Sequence, residues 1–220
     1  MPPRILIADD HAIVREGLRV LLERKGLEVP WMAENGRQAV CLAVKFKPDI
    51  VIMDITMPNM NGSIATEKIM QALPRTRVIA LSMHADRRYI DRMFNAGAIA
   101  YVLKDSAFAE LFDAIQAVGR GKYYISPSIA KTLADSCTSA PDTPQKCPFG
   151  RISPREREVL QLIAEGVKTR QIAERLFVSI KTVEAHRRNI MNKLMISSVA
   201  GLTRFAIQEG LVSQGKWHDF

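Results

Sequence analysis

The stretch IVIMDITMPNMNG, residues 50–62, decides the fold. Ile50, Val51, Ile52 and Met53 run straight into Asp54, and Thr56, Met57, Pro58, Asn59 and Gly62 then break the run into a turn. A short, β-branched-rich apolar run bounded by turn residues reads as a strand buried on both faces. Such strands belong to parallel sheets covered by helices, so the run predicts an α/β fold. It also delivers a carboxylate to the carboxyl end of a buried strand, the edge where open parallel sheets hold their ligands. Alone, an Asp in this place is a turn cap. It becomes a site only if other strands bring complementary groups to the same edge.

The flanking sequence repeats the strand–helix unit. Residues 5–8 read as a strand, and Val14, Leu18, Leu21 and Leu22 then share one face of a helix ending near Gly26. Residues 29–33 form a weaker strand whose Pro30 cannot donate to a ladder, which places it at a sheet edge. Helices over about 37–47, 63–72, 87–96 and 107–120 alternate with strands at 50–53, 78–81 and 100–103. Five such units predict a doubly wound, flavodoxin-like parallel five-stranded sheet of order 2-1-3-4-5, in which the second strand is an edge, as Pro30 requires.

That order sets the ends of four strands side by side. Asp9 and Asp10 follow the first, Asp54 the third, Ser82 the fourth and Lys104 the fifth. Taken singly these are a helix cap, a loop hydroxyl and a surface lysine. Together they form a crevice of three carboxylates, a hydroxyl and an ammonium. Three carboxylates repel unless a cation is present, and oxygen donors that leave room for water and phosphate suit Mg²⁺. Asp54 can then attack a phosphoryl group as a carboxylate nucleophile, with Lys104 neutralising the developing charge. Ser82 is placed to hydrogen-bond a phosphoryl oxygen.

Residues 1–121 resemble the receiver domain of a two-component response regulator. The matching residues are the Asp9–Asp10 pair, Asp54 with Met57 and Pro58, Ser82 in ALSMHAD, and Tyr101 with Lys104 in AYVLKD. The resemblance implies that a cognate sensor histidine kinase phosphorylates Asp54. It also implies that Asp10, Asp54 and the Thr56 carbonyl bind Mg²⁺ with Asp9 assisting, and that Ser82 and Tyr101 switch together as the ring turns inward. Asp105 stands where many receivers have proline, which removes any expectation of a cis-proline there.

Residues 122–150 carry a short helical stretch around 129–134 and then SCTSAPDTPQKCPFG, a Pro-, Ser- and Thr-rich linker. From residue 151 to 220 the pattern is wholly helical. Ser153, Pro154 and Glu156 make a start signal, and Val159, Leu160, Ile163 and Ala164 an apolar face ended by Gly166. A short helix over 169–176 has Ile172 and Ala173 inward, and Ser179 caps a longer helix to about Leu194 with Val183, Ile190 and Leu194 as core candidates. A fourth helix spans about 198–209. Short helix, tight turn and longer helix form a four-helix, helix-turn-helix domain.

Through ISPREREVLQLIAEG, QIAERLFVSIKTVEAHRRNIMNKL and the final Ala206 to Leu211, residues 152–212 resemble the LuxR-type output domain, and the whole chain is similar to response regulators of the NarL/FixJ class. The resemblance implies that the helix Ile180–Leu194 binds double-stranded DNA. By it, Lys181, Thr182, His186 and Arg187 contact phosphates and Glu184, Ala185 and Arg188 face base edges, where Arg188 suits guanine and Glu184 cytosine N4. The family often has a basic residue at Glu184 and a glycine at Met195, so base preference and the last turn are where this chain departs. It further implies homodimerisation on phosphorylation, with the last helix as a candidate dimer face, and RNA polymerase as a further candidate partner.

The totals agree. Apolar residues make up 47% and charged residues 25%, a globular composition. The net charge of +8 is concentrated in residues 151–220, with 12 basic and seven acidic side chains against 17 and 14 in residues 1–125. No apolar run is long enough to span a bilayer, and Met1-Pro2-Pro3-Arg4 leads into the first strand without a secretory signal, so a cytoplasmic protein without a membrane partner is expected. Cys41, in a helical pattern, reads as a small buried hydrophobe, and Cys137 and Cys147 as linker thiols. No turnover beyond the receiver's own phosphoryl transfer and autodephosphorylation is expected. A phosphohydrolase of the haloacid dehalogenase type wants a second acid two residues after the nucleophile, where Thr56 stands. A third reading is a constitutive DNA binder with a vestigial receiver, against which the intact site argues and which equal DNA binding with and without a phosphoryl donor would favour.

Overall fold

The computed structural model describes residues 2–130 and 152–212. The chain divides into two compact units, 1–141 and 142–220. In the first, strands β1 (Arg4–Ala8), β2 (Glu28–Ala33), β3 (Ile50–Asp54), β4 (Arg77–Ser82) and β5 (Ala100–Leu103) alternate with helices. These are α1 (Ala12–Arg24), α2 (Gly36–Phe46), α3 (Gly62–Ala72), α4 (Arg87–Asn95) and, after a 3₁₀ turn Lys104–Ser106, α5 (Ala107–Gly119). A two-residue β6 (Tyr124–Ile125) follows, and all pairs are parallel in the order β2-β1-β3-β4-β5-β6. The expected order holds, with β6 added beside β5. Pro30 lies in the edge strand β2, between the pairs Arg4–Glu28 and Leu6–Trp31, where the register with β1 shifts and the missing ladder donor is accommodated.

The central strands are buried on both faces. Ile5, Ile7, Ile50, Ile52, Ile79 and Leu81 join Leu18, Leu22, Leu111, Ile115 and Val118 of α1 and α5 in one cluster, while the alternate positions Leu6, Val51, Met53, Val78 and Ala80 are equally buried. Each aliphatic side chain so buried stabilises the fold by roughly 1.5–3 kcal/mol. Cys41 is exposed rather than buried, because the inner face of α2 is Gly36, Ala39 and Ala43 and Cys41 projects between the last two on the outer side. Cys137, Cys147 and the linker beyond residue 130 lie outside the described residues. Of the helical stretch expected around 129–134, residues 127–130 are helical and the rest lies outside them.

In the second unit α6 (Pro154–Ala164), α7 (Thr169–Leu176), α8 (Ile180–Leu194) and α9 (Val199–Gln208) pack around Val159, Leu160, Leu162, Ile172, Leu176, Val183, Ile190, Leu202 and Ala206. Ser153 and Glu156 close a capping box, and Gly166 at φ +77° ends α6 with its N–H on Ile163 O at 3.0 Å. Ile163 and Leu194 are only half-buried, since Leu162 takes the inner position on α6 and the last turn of α8 reaches the surface. α6 also grips both helices of the helix-turn-helix. Arg155 Nη2 donates to Leu176 O at 2.6 Å, and Lys193 Nζ lies 2.7 and 2.9 Å from the Glu156 carboxylate oxygens. Burial alone would raise the Glu156 pKa, but the donors of Lys193 and Ser153 outweigh it and hold the carboxyl below its ordinary value.

Met195 ends α8 at φ 57° with its side chain 87% exposed. A left-handed conformation strains an L side chain that gains nothing from burial, so Met195→Gly is expected to stabilise the protein by about 1 kcal/mol. Urea unfolding of the full chain measures this, and a loss of stability would refute it.

Candidate functional site

The site grows from the carboxyl edge of the sheet. β3 ends on Asp54, and the chain must turn at once. Gly62 is obligatory here, since a Cβ would stand 2.0 Å from Asp54 O, and its N–H closes the loop onto Ile55 O at 2.8 Å. Asn59, at φ 66°, completes the turn and Asn61 caps α3 by accepting from Ile64 N at 3.0 Å. Asp54 is thereby held fixed, 3% exposed, with Thr56 N–H donating to its Oδ1 at 3.4 Å.

β1 lies beside β3 and delivers Asp9, which is fully buried, and Asp10, half-buried. Lys104 follows β5, two strands from β3, and its four-carbon stem crosses the end of β4. Its ammonium lies 2.6 Å from Asp9 Oδ2 and 2.9 Å from Asp54 Oδ2. The expected carboxylates and ammonium therefore share one crevice. His11 joins them: its N–H donates to Asp9 Oδ1 at 2.8 Å, and its Nδ1 lies 3.1 Å from Asp9 Oδ1 and 2.9 Å from Asp10 Oδ1. Sequence reasoning missed His11, although its place directly after the aspartate pair was a signal.

One ligand atom from each of Asp9, Asp10, His11 and Asp54 lies within 4.8 Å of the others. One ammonium against three carboxylates leaves negative charge in excess. Asp54 registers it: burial first, then the Asp9 charge, raise its pKa from 3.8 to about 6 against the opposing Lys104 charge and hydrogen bond and the Thr56 N–H. Hard oxygen donors with uncompensated negative charge fit a divalent cation such as Mg²⁺.

Ser82, 1% exposed at the end of β4, accepts at Oγ from His84 N at 3.0 Å. Tyr101 of β5 is fully buried and donates its hydroxyl to His84 O at 2.8 Å. Burial is the leading cause that raises the Tyr101 pKa. One residue, His84, thus holds both with its backbone, while its ring stacks on Tyr89 at 4.7 Å. The Tyr101 ring is wholly buried here. Backbone contacts such as those of His84 leave no side-chain signature in the sequence.

In the second unit Lys181, Glu184, Ala185 and Arg188 of α8 are exposed, and Thr182, His186 and Arg187 half-buried. Thr182 Oγ1 lies 2.8 Å from Ser179 Oγ, whose oxygen also caps α8 by accepting from Thr182 N at 3.0 Å. Arg187 lines a cavity of about 210 Å³ with Ile163, Val183 and Val199. Exposed Glu184 lines the same cavity, so the expected DNA-facing residues divide by exposure: Lys181, Glu184, Ala185 and Arg188 outside, Thr182, His186 and Arg187 partly covered.

Two family models match the chain: the response regulator receiver domain over residues 5–116 and the bacterial regulatory proteins of the luxR family over residues 151–206. The oxygen regulatory protein NreC of Staphylococcus carnosus is 38% identical over 214 residues, covering 95% of this chain and 99% of that protein. A LuxR-family two-component response regulator from Aurantimonas sp. is 39% identical, with a TM-score of 0.61 over 63% of this chain and 100% of that one. The response regulator RcsB in complex with DNA is 27% identical, with a TM-score of 0.57 over 93% of this chain and 98% of that one. The chain belongs to the response regulators, and joins a receiver domain to a LuxR-type helix-turn-helix DNA-binding domain.

Proposed function

We propose that the chain is a cytoplasmic transcription regulator whose DNA binding is governed by phosphorylation of Asp54 by a cognate sensor histidine kinase. The observation that carries the reading is the Lys104 ammonium within 2.9 Å of both buried carboxylates, Asp9 and Asp54, at the sheet edge. A carboxylate oxygen of Asp54 forms the new O–P bond while the P–N bond of the phosphohistidine breaks, and the departing imidazole nitrogen takes a proton from water. Lys104 moves from carboxylate to phosphoryl oxygen and Asp9 keeps it oriented. Asp10, Asp54, Asp9 and the Thr56 carbonyl are the groups proposed to hold Mg²⁺, which when bound supplies positive charge to the transferring phosphoryl oxygens.

Ser82 Oγ, now held by His84 N, turns to the phosphoryl oxygen, and Tyr101 follows through the same residue. With the Tyr101 ring already buried, phosphorylation biases an equilibrium between two arrangements rather than creating a new one. The output is the helix Ile180–Leu194, with Lys181, Thr182, His186 and Arg187 on phosphates and Glu184, Ala185 and Arg188 toward bases. A homodimer through the outer face of α9 would set two such helices about one DNA turn apart. RNA polymerase is the partner the bound form would address, and no catalysis beyond the receiver's own phosphoryl transfer and autodephosphorylation is assigned.

Footprinting on genomic DNA with and without acetyl phosphate and Mg²⁺ tests the control. Phosphorylated protein is expected to protect discrete sites at concentrations about tenfold lower than untreated protein. Identical protection by both forms would show that the receiver does not govern the output.

A further inference from the structure

β6 is two residues long and stands where the chain leaves the sheet. Tyr124 N–H donates to Ile99 O at 3.1 Å and Ser126 N–H to Tyr101 O at 3.0 Å, which fastens the segment to the strand that bears Tyr101. Ser126 has no exposed surface. A buried serine is tolerated only when its polar groups are paired, and here all of them are. Its Oγ accepts from Leu103 N at 3.2 Å and donates to Glu110 Oε2 of α5, and its carbonyl accepts from Ile129 N at 2.9 Å and Ala130 N at 3.0 Å. Those last bonds open the helical turn at residues 127–130, which fully buried Ile129 anchors.

The position of these bonds matters. Leu103 immediately precedes Lys104, whose ammonium touches Asp9 and Asp54, and Tyr101 lies two residues earlier. One residue therefore bonds to the backbone that carries both groups, and the same residue starts the chain that departs toward the second unit.

We propose that Ser126 is a positioning residue that passes the state of the Asp54 site to the departing chain, through the Leu103 N–H···Ser126 Oγ bond and the helical turn at 127–130. The proposal rests on phosphorylation at Asp54 as read above. A shift of β5 at Tyr101 or Lys104 changes the Leu103 N–H direction, and the serine, held on its other side by Glu110, re-aims its carbonyl and the turn built on it.

The test uses the full chain and a DNA duplex selected from a random pool by acetyl phosphate-treated wild-type protein. Ser126→Ala is expected to take up phosphoryl groups within about twofold of wild type while its affinity gain on phosphorylation falls roughly tenfold. A merely structural role would weaken both forms together and leave their ratio unchanged, and an unchanged ratio overturns the proposal. Hydrogen exchange on the wild type needs no substitution: on phosphorylation, protection at the Leu103 amide and at residues 127–130 is expected to change together. Unchanged exchange at Leu103 also overturns it. A wild type that takes up phosphoryl group but fails these tests defeats the relay alone, whereas one that takes up none defeats the phosphorylation reading as well.

Discussion

Replacing Asp54 by Asn is expected to abolish Mg²⁺-dependent labelling by acetyl phosphate and, in metal-free protein at neutral pH, to raise the melting temperature. The first effect follows from the loss of the nucleophilic oxygen. The second follows from the carboxylate's position, 3% exposed and facing Asp9, with its pKa raised by burial and by that neighbour from 3.8 to about 6. A raised carboxyl means that the folded chain holds the proton more tightly than the unfolded chain. Its contribution is fully present below pH 3.8 and is lost as pH rises through about 6. Wild type should therefore lose stability relative to Asp54→Asn over that window, by an amount on the order of 1–3 kcal/mol. Asn keeps the shape but only one acceptor oxygen, so the variant gives up the charge and one of the two bonds from Lys104 and the Thr56 N–H. Adding Mg²⁺ should narrow the gap for wild type alone. Urea unfolding at pH 5 and pH 7 measures it, and a metal-free wild type more stable than the variant at pH 7 would sink the argument from burial. Labelling of the variant at the wild-type level would remove Asp54 as acceptor.

The parts of this site that the sequence made legible are those fixed by strand order. Asp9, Asp54 and Lys104 sit at strand ends, and once Pro30 places β2 at the edge, the topology brings their ends together. β6 was not legible, since two residues carry no periodicity and the pairing is made by backbone atoms. Cys41 was misjudged because a helical pattern of small residues does not say which of them faces inward. The Met195 position was identified from the glycine usual there, and the left-handed turn is kept without it. Ser126 and His84 act through backbone groups or a single hydroxyl, which no residue-type pattern reports.

Removing the guanidinium of Arg188 is expected to cost about 1–3 kcal/mol of specific DNA affinity, with little loss of non-specific binding. Arg188 is exposed on α8 and, unlike half-buried Arg187, does not line the cavity beside Ile163, Val183 and Val199, so its truncation leaves the domain's core untouched. Lys181 is exposed one residue inside α8, and in the proposed reading its point charge beside the helix N-terminus would meet a phosphate and read no base. Lys181→Ala should therefore weaken all duplexes alike and lower the slope of log affinity against log salt by about one. Glu184 stands between these two in sequence and is likewise exposed, and its charge opposes the phosphate backbone wherever no cytosine N4 donor is offered. Glu184→Gln is accordingly expected to bind non-cognate DNA more tightly and to discriminate less. Titrating the three variants against a selected duplex and a scrambled one, over a range of salt, separates these outcomes. A base-specific loss from Lys181→Ala together with a uniform loss from Arg188→Ala would reverse the assigned roles and require α8 to enter the groove rotated about its axis.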